Sequence, residues 1–219
     1  GKVQVAANTH RYVCEYCGNE HILAGIPLDI RAVGPEERQI IPVPDSIRVQ
    51  KGIQRLRLTR RWFSWKYVPL ALFCVAWDSF LIFWYGSAFS TQAPWIMIVF
   101  PIAHLAVGIG LTYSTLAGFS NKTVLEITPE EVDIWHDPLI WPGEISISTS
   151  DLQQLYCKDC ITHGDNSTSV TYELYALLRN GHSKKLLAGL DSSDLALYIE
   201  QQIESWLHIP DYPVVGEIR

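Results

Sequence analysis

The residues whose types and spacing could do chemistry are five cysteines, seven histidines and one isolated aspartate. Cys14 and Cys17 stand in "YVCEYCGNEH", the Cys-x-x-Cys-Gly form of a zinc knuckle. There the glycine permits the tight turn that brings two thiolates to one metal, and a tetrahedral zinc then needs two further ligands. Cys157 and Cys160 in "LYCKDC" could supply them, or locally His10 and His21 in the pattern His-x3-Cys-x2-Cys-x3-His. A strand through Cys157 would turn its side chain away from that of Cys160 unless a turn begins at Lys158. Bound zinc, a metal-free knuckle and thiol redox chemistry therefore all stay open. Covalent c-type haem attachment does not, because Gly18 rather than histidine follows Cys17.

Asp78 is the second candidate. It sits inside "KYVPLALFCVAWDSFLIFWYG", where nearly every other residue could dissolve in lipid, and His104 occupies the middle of a second apolar run. A carboxylate at bilayer mid-depth costs a few kcal/mol (~2.5–3.5 on insertion scales), so it is expected to face a protein partner. An Asp78–His104 hydrogen bond would relieve both groups and fix the rotation of a helical hairpin. Contact with another membrane subunit, a proton relay, and a pigment or haem metal on His104 are the other readings. A light-harvesting polypeptide would carry alanine four residues before its pigment-binding histidine; here that residue is Phe100.

The elements that must hold these residues are legible in the hydropathy. A membrane helix needs roughly 20 apolar residues; 67–85 and 95–118 supply two such runs, forming a transmembrane hairpin over 67–118 joined by the uncharged "GSAFSTQAP". Arg48, Lys51, Arg55, Arg57, Arg60, Arg61 and Lys66 all precede the first run, and the connecting loop has no charge. The positive-inside bias then puts both termini in the cytoplasm. Trp62, Trp65, Trp84, Tyr85 and Trp95 are expected near the membrane interfaces, and the first twenty residues show no apolar stretch of a cleavable signal peptide. Ala106, Gly110, Ser114 and Gly118, four apart, make a small-residue stripe of the kind that admits a close neighbouring helix.

Charge divides the chain the same way. Residues 1–66 carry eleven Lys/Arg against six Asp/Glu, and 119–219 carry six against sixteen. An acidic C-terminal part argues against nucleic acid, whose phosphates need Lys/Arg on a surface. Residues 1–24 form the knuckle-like segment, 25–46 an extended proline-rich linker, and 47–66 a basic β-hairpin around Lys51-Gly52 that can add to a later sheet. Over 119–208 the period becomes alternating: "TVLEIT", "EVDIWH", "EISIS", "DLQQLYC", "SVTYELYALLRN" and "KKLLAGL" read as strands broken by turn residues. A helix capped by Asp191 or Ser192 follows, with Leu195, Ile199, Ile203 and Trp206/Leu207 on one face and Pro210 ending it. The fold class is thus a membrane α-helical hairpin plus an α+β domain, an antiparallel barrel or sheet closed by a C-terminal helix.

That element order, with "WPGEISISTSDLQQLYC", resembles the bacterial pleckstrin-homology-like domains found beside membrane spans. The resemblance implies a protein-binding or oligomer-building role. Lys184 and Lys185 are too small a basic cluster, beside so acidic a domain, for lipid headgroups. The whole chain, with its Cys-x-x-Cys-Gly start, "RRWFSW" entry to the hairpin and "TYELYALL", is similar to a family of bacterial two-span membrane proteins without an assigned activity. No Gly-rich phosphate loop, nucleophile elbow or His-Glu-x-x-His is present, and His136, His163, His182 and His208 fall in expected turns or helix ends. An enzyme is not expected, and no small-molecule substrate suggests itself. The linker and the tail 209–219, which ends in "PDYPVVGEIR", would stay disordered unless a partner held them. The expectation is an accessory subunit in the bacterial inner or intracytoplasmic membrane, its partners other integral subunits and the lipid bilayer. A photosynthetic reaction-centre–light-harvesting complex is the specific candidate, and a zinc-binding adaptor or sensor the alternative.

Overall fold

The computed structural model describes residues 11–13, 20–22, 40–163 and 168–218. The knuckle cysteines Cys14 and Cys17, His10, the linker up to residue 39 and the turn at 164–167 lie outside the described residues. The chain runs β1 (Arg11–Val13), β2 (Glu20–Ile22), β3 (Ile47–Lys51), β4 (Leu56–Arg61), α1 (Tyr67–Ser90), α2 (Trp95–Val99), α3 (Ile102–Ser120), β5 (Lys122–Ile127), β6 (Glu131–Asp137), β7 (Ile145–Ser148), β8 (Leu152–His163), β9 (Thr168–Leu178), β10 (Ser183–Leu190) and α4 (Ser193–Leu207). β1 and β2 pair antiparallel. The remaining strands make a five-stranded sheet in the order β3-β4-β5-β6-β7 and a three-stranded one in the order β10-β9-β8. The basic hairpin before the helices thus joins the later sheet, because β4 and β5 are neighbours.

By internal contacts the chain forms two compact units, 1–59 with 125–134 and 145–219, and 60–124 with 135–144. The first has a hydrophobic core in which Leu56, Leu58, Leu125, Ile127, Ile134, Leu155, Leu174, Leu190, Ile199 and Ile203 are fully buried. Alternation builds it: β8 and β9 pair antiparallel, without slippage from Gln154↔Leu177 to His163↔Thr168. α4 packs on this sheet along the stripe Leu195, Ile199 and Ile203, with Trp206 and Leu207 half-buried at its end. Its N-cap is Ser192, whose hydroxyl accepts from Leu195 N at 3.2 Å and so satisfies one of the helix's orphan donors.

The second unit holds two helices long and apolar enough to cross a membrane, Tyr67–Ser90 of 24 residues and Trp95–Ser120 of 26. α1 runs five residues beyond the expected end at Tyr85, which shortens the connection to 91–94. The second run is interrupted at Phe100-Pro101, since proline has no N–H to donate back to Met97 O. α1 covers that gap: Trp84 Nε1 donates to Met97 O at 3.0 Å and the Tyr85 hydroxyl to Ile98 O at 3.2 Å. Carbonyls freed by a helix break need another donor, so these two aromatics double as backbone caps.

The tail is a correction. It was expected to need a partner, yet it docks on the edge of β8 within its own domain. Gln154 Nε2 donates to Tyr212 O at 2.7 Å, Ile218 N donates to Cys157 O at 2.9 Å, and Ile218 is fully buried. Gly216, at φ +79, makes the turn that returns the chain there, with Glu217 N donating to Val214 O. As the end strand of its sheet, β8 has a free row of backbone groups, and the tail pairs with it.

Candidate functional site

The hairpin holds Asp78 and His104, polar groups within the two apolar helices. Asp78 and His104 do not pair. Thr112 donates from Oγ1 to Asp78 Oδ2 at 2.7 Å, while His104 stacks on Trp77 at 5.8 Å between ring centroids and packs on Phe100. The physical reason lies in a row along α3. His104, Gly108 and Thr112 are four apart on one face, and the Asp78 side chain sits over Gly108, where a Cβ would come 2.8 Å from Oδ1. From there the carboxylate can reach one turn either way. The turn toward His104 is filled by Trp77, whose Nε1 donates to His104 O at 3.3 Å. Thr112 is left, and it takes the carboxylate.

Further along, Thr115 Oγ1 donates to Leu111 O at 2.7 Å and lies 3.5 Å from Cys74 Sγ, which makes the thiol the donor to Thr115. Gly118 lies under Tyr67, whose ring carbons would meet a Cβ at 2.6 Å. The small-residue stripe is therefore not one surface. Four-residue steps advance about 40° beyond a full turn of a 3.6-residue helix, so three steps drift about 120°. Gly118 falls inside the hairpin, and Ala106 and Gly110 fall on its outer face, with nothing within 4 Å of a Cβ at Gly110.

Beside Asp78 and Thr112, the side chains of Leu81, Ile82, Tyr85, Leu105, Ile109, Tyr113 and Leu116 line a largely apolar groove of about 520 Å³. A carboxylate offers about four acceptor sites. Asp78 has a single donor, Thr112, and no other polar partner among the described residues.

A second cluster at 60–66, 121–124 and 135–144 escaped the sequence reading. His136, expected in a solvated turn, lies in β6 with its Nδ1 3.1 Å from Thr123 Oγ1. Trp62 Nε1 donates to the same hydroxyl at 2.7 Å, so the Thr123 proton is available to Nδ1. Trp62 makes edge contacts with His136 at 5.1 Å and with Trp141 at 5.4 Å. Gly143, at φ +113, leaves room for His136 Nε2, which would lie 3.3 Å from a Cβ. Burial holds His136 below its ordinary value of 6.5; Glu144 works against that shift and Arg60 adds to it. Asn121, buried at the end of α3, donates to Leu139 O at 2.9 Å and accepts from Leu139 N at 2.8 Å. These residues staple the 135–144 segment to the base of the hairpin. The turn residues in "WHDPLIWPG" signalled a loop, but nothing in their spacing signalled the staple.

The expected second cysteine pair is also corrected. β8 continues straight through Lys158 to His163, so Cys157 and Cys160, three apart, face opposite sides of the sheet. Cys157 is fully buried in the core and Cys160 half-exposed. They cannot offer two thiolates to one metal. Among the described residues Glu200, Glu204 and Asp211 bring one carboxylate oxygen each within 4.8 Å of the others. Glu204 already works structurally there, its Oε1 accepting from Leu155 N at 2.9 Å to tie α4 to β8.

No protein-family model matches the chain, and no curated protein matches it.

Proposed function

We propose that this chain is a non-catalytic accessory subunit of a larger bacterial integral membrane complex. Its two apolar helices cross the bilayer as a hairpin, and both soluble ends lie on the cytoplasmic face. The sheet domain with α4 is of the pleckstrin-homology-like kind, completed by two strands from before the hairpin, and it makes protein contacts on that face. The observation that carries the reading is Asp78: a carboxylate on the floor of an apolar groove, among residues that would be in lipid, with one hydrogen-bond donor. Such a group is costly in lipid and inexpensive against a donor from another subunit. The smooth outer face at Ala106 and Gly110 supports it, as does the long exposed apolar surface of α1 and α3. No feature of the described residues singles out a photosynthetic complex, so we propose the class of partner and not its name.

Blue-native electrophoresis of native membranes tests this. The chain is expected in a band well above its own 24.8 kDa, and Asp78→Leu is expected to shift it to the free species without loss of the folded sheet domain. Migration of the wild-type chain only as the free species would contradict the proposal.

A further inference from the structure

A groove larger than the one beside Asp78 lies in the sheet domain. It is a groove of about 840 Å³ between the β3–β4 turn, the segment before β8 and the C-terminal turn of α4. Among the described residues its lining contains no aspartate or glutamate, although residues 119–219 carry sixteen. It does contain Lys51, from the end of β3, and Arg179, from the turn between β9 and β10. Among the described residues neither cation has an ion pair or a side-chain hydrogen bond. Gln202 adds an amide side chain to the lining. Ser205 adds a hydroxyl, and Trp206 and the fully exposed Ile53 add apolar surface.

Each of these features has an ordinary cause singly; together they describe a recognition surface. Two cations without an ion pair among the described residues, in a groove whose described lining holds no acid, select for negative charge. The volume exceeds what one small anion fills, and the wall of Trp206 and Ile53 asks for apolar contact between charges. We propose that this groove binds an acidic peptide segment of a partner protein, its carboxylates at Lys51 and Arg179 and an apolar side chain against Trp206. The inference goes beyond the accessory-subunit reading and does not need the hairpin to be membrane-embedded. The carbonyl end of α4 forms part of the wall and opposes an anion, so both cations are required.

The test uses the full chain in detergent and two fluorescein-labelled octapeptides of equal length, one alternating Glu and Leu, the other Gln and Leu. Anisotropy is expected to show the Glu peptide binding at least tenfold more tightly at low salt, with the advantage shrinking as salt rises. Lys51→Glu with Arg179→Glu is expected to abolish that preference, while Lys184→Glu, at an exposed strand position outside the groove, leaves it intact. Equal affinity for both peptides would overturn the proposal. So would binding unaffected by the double variant, or saturation of the same site by inorganic phosphate alone with neither peptide binding.

Discussion

Asn121 and His136 show how single side chains set the base of the hairpin. Asn121 serves Leu139 as a backbone would, giving and taking one hydrogen bond. Asn121→Ala leaves a buried N–H and C=O without partners and should cost about 2 kcal/mol, read as a lower unfolding midpoint in detergent. His136 adds a pH dependence whose sign follows from its surroundings. Burial depresses its folded value below 6.5, so the unfolded chain takes up a proton first as pH falls. Its contribution is therefore fully present above about pH 6.5 and is lost as pH drops through the depressed folded value. A wild-type melting temperature that falls more steeply than that of His136→Gln between pH 7 and pH 5 is the expected outcome; parallel curves would remove His136 from the account. Neither role was legible in the sequence. An asparagine after a helix and a histidine in a strand are ordinary residues there, and their partners come from 13 to 18 positions away.

The helices separate what the stripe of small residues had merged. Gly108, never part of the stripe, is where α1 comes closest at mid-depth, with Asp78 and Trp77 within 2.8–3.3 Å of a Cβ. Gly108→Leu should destabilise the hairpin by about 1–3 kcal/mol or more through overpacking. Gly110→Leu should leave its stability within error and weaken only retention in the larger complex. Equal effects of the two on unfolding in detergent would contradict the assigned faces. Hydropathy was enough to find two long apolar helices, and alternation was enough for the strands after them. Register was beyond it: a helix end placed five residues early shifted the apparent midpoint and paired Asp78 with the wrong turn of α3. The knobs that decided the matter, Trp77 and Gly108, carry no charge pattern to read.

For the chain as a whole, the order β4, hairpin, β5 makes the apolar helices an insertion between two neighbouring strands of one sheet. The expected boundary between a juxtamembrane hairpin at 47–66 and a separate domain at 119–208 therefore dissolves, for the domain core includes Ile47, Leu56 and Leu58. The tail belongs to it too. Deleting 212–219 removes the buried Ile218 and the Gln154 bond and should cost about 2–4 kcal/mol, lowering the melting temperature by several degrees; an unchanged transition would show the β8 edge to be occupied some other way. Long-range pairing of this sort is invisible to local periodicity, which is why "PDYPVVGEIR" read as a free end. The proposed accessory role needs a hairpin that crosses the bilayer and returns. Its most direct test is labelling of intact cells with a membrane-impermeant maleimide, comparing Gln92→Cys at the helical connection with Ser183→Cys at the start of β10, against the unsubstituted chain as background. Labelling of residue 92 from outside, and of residue 183 only after the membrane is opened, is the predicted result. Labelling of residue 183 in intact cells, or of neither until lysis, would contradict it.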